Sequence, residues 1–229
     1  MNLQSGIINV SYSFFEKEWT FLDWQSRINQ IPEKLQARIY RYHRWQDRQA
    51  GLLGNLLVKN ALLRWGGNRN ALHDLKYGKY GRPYINTDFD FNVSHSGQYI
   101  VCASADFCRV GIDIEKIRPL DLSDFQNEFS LKEHAVIEKA NDPLMSFYAH
   151  WTAKEAVIKA DGRGMQIPLK DVWIDSNRAY LYDKIYQLKR IKLNNLYCCC
   201  VAFDQKIHGI NIYDAGIEPV VPGLKYIIA

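Results

Sequence analysis

A stretch of nineteen residues at positions 147–165, FYAHWTAKEAVIKADGRGM, constrains the fold of this chain more than any other. Its first part, residues 147–160, consists of helix formers without Gly or Pro, and two glycines follow where a helix would end. At 3.6 residues per turn, Trp151, Glu155 and Lys159 fall near one another, so a carboxylate and an ammonium group share one helix face. A surface ion pair is the simplest explanation of that face.

A second acidic sequence, VGIDIE at residues 110–115, favours a functional explanation of Glu155 and Lys159 over a surface ion pair. Its apolar residues alternate with Gly, Asp113 and Glu115, as in a strand with one apolar and one polar face. Two carboxylates on one face of a strand repel each other unless a cation or a set of donors lies between them. An oxygen-only environment of this kind suits Mg²⁺. The alternative is an exposed edge pair that solvent screens.

Composition places the chain among ordinary globular proteins, with 229 residues, 47% hydrophobic and 24% charged. Its length allows one large domain or two small ones. No apolar run approaches the roughly 18–20 residues of a membrane span, and the N-terminal residues show no basic segment followed by an apolar one, so we expect neither a span nor a secretory signal. The net charge of +4 allows an acidic partner or a phosphorylated ligand and does not single out nucleic acid.

Five cysteines are present, and three of them are adjacent, at positions 198–200 in an apolar run. This arrangement is typical of small buried residues in a strand, and it indicates a reducing compartment, so we expect a cytoplasmic protein. The chain has no C-x-x-C sequence and no close Cys/His group suited to zinc.

The N-terminal part reads as a strand followed by helices. Residues 7–14 predict the strand, residues 31–42 a helix, and residues 50–65 a second helix that ends at a pair of glycines. The neighbouring segment, residues 41–49, contains three arginines at three- and four-residue spacing: Arg41, Arg44 and Arg48. They form either a solvated helix face or a cation patch for phosphate, whose oxygens Arg can bind in pairs.

Two short sequences follow in the middle of the chain. Residues 76–86 predict a turn-rich loop in which Arg82 lies between Gly and Pro. The sequence FNVSHSG at 91–97 predicts a strand that carries Asn92 and Ser94 on its polar side and His95 at its end. A serine hydrolase is not indicated, because neither a G-x-S-x-G sequence nor an acidic partner is visible.

The C-terminal part predicts a linker at 116–125, a helix within 129–142, a loop that leads into a strand at 166–175, and strands near 178–193 and 196–203. Ser130 and Glu133 form a capping-box pattern at the start of the helix, which by itself could explain Glu133.

A weak internal repeat is visible, since YIVCASAD (99–106) and YCCCVAFD (197–204) match in residue type at nearly every position. Each lies about 50 residues after the start of a predicted helix. The repeat predicts two related α+β halves with a boundary near residues 106–109, and a ligand in the cleft between them would be reached from both.

Together these motifs resemble the surfactin-type 4′-phosphopantetheinyl transferases. The resemblance rests on FNVSHSG (91–97), GIDIE (111–115) and WTAKEAVIKADGRG (151–164), in the family's order and spacing. The GRP sequence around Arg82 and the stretch before AGLLG support it, and the match is clear over about residues 40 to 170. It implies an α+β fold of two similar halves related by a pseudo-two-fold axis, with coenzyme A between them.

The resemblance also implies a division of labour between residues 1–106, which contribute basic contacts to phosphate, and residues 107–229, which carry the metal site. The implied ligands of Mg²⁺, or of Mn²⁺ in its place, are Asp113, Glu115 and Glu155. The implied catalytic residues are Glu155, Lys159 and Glu133. The implied coenzyme A contacts are Arg48, Arg82, Ser94, His95, Lys154 and Lys159. Arg41 and Arg44 correspond only loosely to the family's basic residues.

The implied reaction moves the 4′-phosphopantetheine arm from coenzyme A to a serine of an acidic apo carrier protein and releases adenosine 3′,5′-bisphosphate. The nucleophile would come from the partner, and the proton acceptor is left open between Glu155, Glu133 and water. We expect a monomer, with no nucleic acid or membrane partner. Two other hypotheses are a Mg²⁺-dependent hydrolase of nucleotide pyrophosphates and a catalytically silent module that docks carrier domains.

Overall fold

The computed structural model describes residues 6–68 and 70–217, and eleven strands and five helices lie within these ranges. The strands are β1 Ile7–Phe14, β2 Lys76–Tyr77, β3 Pro83–Tyr84, β4 Asp90–Ser96, β5 Tyr99–Ala105, β6 Val110–Lys116, β7 Val172–Asp175, β8 Arg178–Leu181, β9 Lys184–Arg190, β10 Tyr197–Phe203 and β11 Gly209–Asp214. The helices are α1 Phe21–Ile28, α2 Glu33–Ile39, α3 Trp45–Trp65, α4 Leu131–Glu138 and α5 Pro143–Asp161. The fold is therefore mixed α+β, as predicted.

The first sheet has the order β11-β1-β5-β4. β5 is antiparallel to both β1 and β4, whereas β11 runs parallel to β1 with Gly209 opposite Ile7. Because β11 comes from the C-terminal part of the chain, the predicted boundary between residues 106 and 107 does not separate the two sheets completely.

The second sheet has the order β6-β10-β9-β8-β7, and all of its recorded neighbours are antiparallel. Both sheets contain the same chain order of strand, helix, strand, strand, as β1-α3-β4-β5 in one and β6-α5-β9-β10 in the other. In each case the last strand lies between the other two. These central strands, β5 and β10, are the two segments that the internal repeat predicted as strands.

Side chains of the central strands alternate between two sides of each sheet, and the packed elements form four layers: α3, the first sheet, the second sheet and α5. In β5, Ile100 and Cys102 pack with α3, while Val101 and Ala103 pack against the second sheet. In β10, the odd-numbered Cys199 and Val201 face the first sheet, while Cys200 and Ala202 pack with α5. All five cysteines are free and buried, and for the three adjacent ones at 198–200 their apolar context predicted this. Within the described ranges, no helix has the length and apolar character needed to cross a bilayer.

The helix ends follow their local sequence. Gly66 and Gly162 take left-handed conformations, with φ of 99° and 93°, immediately after α3 and α5, and so end both helices as predicted. α2 is shorter than the predicted helix at 31–42, because Pro32 occupies its N-cap and Tyr40 its C-cap. α1, whose N-cap is Thr20, was not predicted from the sequence.

A ladder of side chains joins the two sheets where their edge strands β4 and β6 meet. Alternate polar side chains of β4 accept hydrogen bonds from alternate backbone amides of β6, on the edge that does not pair with β10. The pairs are Asp90 with Val110 (2.8 Å), Asn92 with Ile112 (2.9 Å), Ser94 with Ile114 (3.4 Å) and Ser96 with Lys116 (3.0 Å). The ladder satisfies an edge that would otherwise be unpaired, and it fixes the register of β4 against β6.

Candidate active site

The polar face of β6 lies directly under α5, because Gly111 lets the two backbones approach closely. A Cβ atom at Gly111 would lie only 2.1 Å from the carbonyl oxygen of Ala156 and 2.4 Å from the amide nitrogen of Ala160. Glycine in a strand often marks such an approach. Asp113 and Glu115 follow on the same face of the strand, so they too face the helix.

Asp113 and Lys159 form the centre of the site. Lys159 Nζ donates to Asp113 Oδ1 at 2.6 Å and to Ser94 Oγ at 2.8 Å, and Ser94 Oγ donates to the same Asp113 oxygen at 2.9 Å. Asp113 is buried, with a 5% exposed side chain, whereas the Lys159 side chain is 28% exposed. One half-buried ammonium group therefore meets a buried carboxylate at the junction of β4, β6 and α5.

Glu115 and Glu155 are the half-buried carboxylates of this site. Burial raises the pKa of both, and the negative charge of Asp113 raises the pKa of each further. A hydrogen bond of 2.7 Å from Ser96 Oγ to Glu115, and the ammonium of Lys159 near both acids, oppose this shift. The three acids therefore influence one another electrostatically, and positive charge brought to them would be stabilised.

The donor set can be tested against a divalent cation. Asp113 Oδ2 is buried and has no hydrogen-bond partner, although a buried carboxylate oxygen normally has one. The neighbouring ligands are all oxygens, which Mg²⁺ prefers. However, within residues 6–68 and 70–217, no three His, Cys, Asp or Glu side chains are arranged as a preformed metal-binding group. The residues fit a hard cation chemically, and Glu115 and Glu155 would have to turn toward it.

His95 and Arg48 have different surroundings. His95 is exposed, and its pKa is lowered first by the partial loss of solvent around its ring and second by the ammonium of Lys159. Arg48 is half-buried, donates from Nε to the carbonyl oxygen of Tyr42 at 2.8 Å, and lines an aromatic surface cleft with Trp45. His95 therefore lies within the electrostatic influence of Lys159 and Asp113, whereas Arg48 lines a surface cleft at the N-terminus of α3. Arg41 and Arg44 are exposed.

Arg82 lies inside the protein. Its side chain is only 9% exposed, and its guanidinium binds Asp90 at 2.7 Å and three backbone carbonyl groups. The prediction that Arg82 contacts a coenzyme A phosphate therefore has no support in this geometry, because both Nη atoms already bond to Asp90 or to carbonyl groups and Nε is buried without a partner. Sequence alone cannot show this, since the carbonyl partners come from strands and a helix distant in the chain.

Lys154 is also turned away from the acids. Its side chain is 0% exposed and lies 3.0 Å from Glu133, with the carbonyl oxygen of Leu169 at 3.2 Å. The implied contact between Lys154 and coenzyme A is therefore not available in this structure. Glu133 Oε2 accepts hydrogen bonds from Ser130, which completes the predicted capping box, and from Lys154, so this carboxylate serves the fold.

We predict that Lys154→Met lowers the free energy of unfolding by about 3 to 5 kcal/mol, because it leaves the carboxylate of Glu133 buried without its cation. Adding Glu133→Gln should restore at least half of that loss, since Gln at this position preserves the capping box and removes the charge. Urea unfolding followed by circular dichroism measures both values. Lys132→Met, at an exposed neighbouring position, is the control. A loss below about 1 kcal/mol for Lys154→Met would exclude a structural role for the pair.

Ser96, Asp90 and Asn92 are site-supporting residues that the sequence analysis did not identify as such. The available signal was the period-two run of polar residues in DFNVSHS, all of them on one side of a predicted strand. Polar side chains that become buried need partners, and here the partners are the amides of β6 and the carboxylate of Glu115.

Comparison with known proteins gives consistent results for both parts of the chain. Residues 109–202 match the family model of the 4′-phosphopantetheinyl transferase superfamily, and residues 17–107 match that of the 4′-phosphopantetheinyl transferase N-terminal region. The chain is 37% identical over 153 residues to 4′-phosphopantetheinyl transferase gsp of Aneurinibacillus migulanus, covering 66% of this chain and 64% of that protein. It is 34% identical over 144 residues to 4′-phosphopantetheinyl transferase Sfp of Bacillus subtilis strain 168, covering 60% and 62%.

A third relative is 4′-phosphopantetheinyl transferase AcpT of Salmonella typhi, which is 37% identical over 139 residues, or 58% of this chain and 67% of that protein. The match thus spans a little less than two thirds of the gsp and Sfp proteins and two thirds of AcpT. These relatives and the two family models confirm the resemblance that the motifs predicted. The chain belongs to the 4′-phosphopantetheinyl transferase superfamily and is of the surfactin type.

Proposed function

We propose that this protein transfers the 4′-phosphopantetheine arm of coenzyme A to a serine of an apo carrier protein, with Mg²⁺, and releases adenosine 3′,5′-bisphosphate. The observation that carries the proposal is the group formed by Asp113, Glu115, Glu155 and Lys159 between β6 and α5. In a member of this family, the three carboxylates of that group can hold a divalent cation, and the ammonium can bind an oxygen of the pyrophosphate.

The metal would be held by Asp113, Glu115 and Glu155, with Mn²⁺ as the alternative ion. Asp113 Oδ2, which has no hydrogen-bond partner, and the raised pKa values of the two glutamates support this assignment. Each of these features indicates a negative charge that the surrounding donors and cations do not fully stabilise. When bound there, Mg²⁺ would neutralise oxygens of the pyrophosphate and so stabilise the leaving phosphate.

The side chains of the protein itself have three tasks. Lys159, whose ammonium reaches the centre from α5, binds a phosphate oxygen and steadies the charge on the leaving group. The hydroxyl of the carrier serine forms the new P–O bond while the bond to adenosine 3′,5′-bisphosphate breaks. Glu155 accepts the hydroxyl proton, directly or through water, and its raised pKa brings it closer to the value that suits a general base near neutral pH.

Coenzyme A would contact Ser94, His95 and Arg48 on the N-terminal side. Ser94 already binds Lys159, and His95 is exposed beside it, which supports phosphate contacts at the carboxyl end of β4. Arg82 and Lys154 are left out of this set because both are buried and paired. Glu133 remains an indirect participant, since it fixes Lys154 one residue before Glu155.

The halves formed by residues 1–106 and 107–229 would be related by a pseudo-two-fold axis, with coenzyme A in the cleft between them. The shared strand-helix-strand-strand order and the central position of β5 and β10 support this proposal. We further propose that the protein acts as a cytoplasmic monomer on acidic carrier proteins, for which its net charge of +4 is favourable.

The test is incubation with coenzyme A, Mg²⁺ and a panel of apo carrier proteins, followed by intact-mass spectrometry of the carriers. We expect the mass of the arm to appear on at least one carrier and adenosine 3′,5′-bisphosphate to accumulate in equal amount. Coenzyme A without a carrier is the control, and its cleavage there would favour the pyrophosphate hydrolase. Carrier binding without any transfer would favour the silent docking module.

A further inference from the structure

Arg82 enters the interior from a tight turn. Gly81 takes a left-handed conformation with φ of 81°, and Pro83 begins β3, so the backbone around Arg82 is bent and then restrained. The side chain lies between the two edge strands and the end of α5, and only 9% of it is exposed. A phosphate-binding residue in a coenzyme A cleft would present its guanidinium to solvent instead.

The four hydrogen bonds of the Arg82 guanidinium reach three different elements of the fold. Its Nη2 atom donates to Asp90 Oδ2 at 2.7 Å, to the carbonyl oxygen of Phe91 at 3.2 Å and to that of Val110 at 2.9 Å. Its Nη1 atom donates to the carbonyl oxygen of Lys159. One side chain thus connects β4 of the first sheet, β6 of the second sheet and α5.

The contact with α5 lies at the end of the helix. Gly162 is its C-cap, and the amide of Gly162 bonds to Ile158, so the carbonyl of Lys159 belongs to the last turn, whose acceptors lack further helical partners. A cation there satisfies that acceptor and interacts favourably with the helix dipole. The side chain of the same Lys159 reaches Asp113. A contact that fixes the Lys159 backbone therefore fixes the point from which its ammonium group reaches Asp113.

Arg109 provides a comparison within the same cluster. It binds the other oxygen of Asp90 at 3.2 Å, but its side chain is 43% exposed, and none of its recorded side-chain hydrogen bonds reaches a carbonyl group of α5. The two arginines therefore share Asp90 and the neighbourhood of Gly162, and they differ in the link to Lys159.

We infer that Arg82 is a positioning residue for the transfer reaction, and that it holds Lys159 in register with Asp113 by fixing the last turn of α5 to the two edge strands. The inference rests on the proposed function for its kinetic consequence and on the contacts of Arg82 for its structural one. It replaces the role of phosphate ligand that the family resemblance implied.

The kinetic test compares Arg82→Gln and Arg82→Lys with Arg109→Gln as the control. We expect kcat to fall by about 100-fold in Arg82→Gln, as a displacement near 1 Å would cause, while the dissociation constant for coenzyme A, measured by calorimetry, stays within about threefold. Arg82→Lys should recover little of the lost rate, because the single nitrogen of an ammonium group cannot bond at once to the acid and the three carbonyl groups that the planar guanidinium reaches. Arg109→Gln should remain near the wild-type rate.

Two further measurements separate the possibilities. If Arg82 bound the 3′-phosphate, Arg82→Gln would bind coenzyme A more than about tenfold more weakly and would bind dephospho-coenzyme A as tightly as the wild type does. That result would overturn the inference. Hydrogen exchange at the amides of residues 158–162 should accelerate by about tenfold in Arg82→Gln and in Arg82→Lys, but not in Arg109→Gln. This exchange needs no transfer activity, so it decides the structural role of Arg82 even if no carrier is modified, and unchanged exchange would refute that role.

Discussion

Glu155→Gln should lower the kcat of arm transfer by about 1,000-fold or more while the free energy of unfolding stays unchanged or rises slightly. The two effects have one cause. Burial and the charge of Asp113 raise the pKa of Glu155, so the folded protein holds this negative charge at a cost. An amide of the same shape removes the repulsion, and with it both the proposed metal ligand and the proposed proton acceptor.

Asp113→Asn should lower the rate by a similar factor but should also destabilise the fold, because it leaves the ammonium of Lys159 without its carboxylate partner. Glu138→Gln, the same chemical change at an exposed position on α4, is the control for both. Transfer is measured by mass spectrometry of an apo carrier and stability by urea unfolding. Near-normal transfer by Glu155→Gln and Asp113→Asn at saturating Mg²⁺ would reject this site.

The part of the site that sequence could predict is the part encoded by local periodicity. Alternation in VGIDIE places Asp113 and Glu115 on one side of a strand, and helical spacing places Glu155 and Lys159 on one face of α5. The ends of α3 and α5 are equally local, because a glycine accepts the left-handed conformation that ends a helix. These features needed no knowledge of tertiary structure.

The partners of Arg82 and Lys154 could not be predicted in the same way. Arg82 bonds to a carbonyl group 77 residues away, and Lys154 pairs with an acid 21 residues before it. A motif gives the residue type and its position, but burial decides whether a cation faces a ligand or completes the interior. The family resemblance therefore assigned both residues to coenzyme A, whereas the packing of α5 gives both of them structural partners.

The close approach of β6 to α5 supplies the second prediction with a large effect. Gly111 faces the backbone of α5, and the atoms that a new Cβ would meet at 2.1 and 2.4 Å belong to Ala156 and Ala160. Both are main-chain atoms in the C-terminal part of α5, so neither can move aside as a flexible side chain could. The helix as a whole must shift away from the strand, and it carries Glu155 and Lys159 with it.

Gly111→Ala should therefore lower the free energy of unfolding by about 3 kcal/mol through overpacking and lower kcat by about 100-fold through misalignment of Lys159 with Asp113. Gly209→Ala is the matched control, because Gly209 also lies in a strand, has open space around a new Cβ and needs no left-handed backbone. Urea unfolding and carrier modification are measured on both variants. If Gly111→Ala behaved like Gly209→Ala in both assays, the separation of α5 from β6 would not control the site. A loss of stability without a loss of rate would instead mean that the acids and Lys159 can realign on a displaced helix, and that substrate binding organises this group.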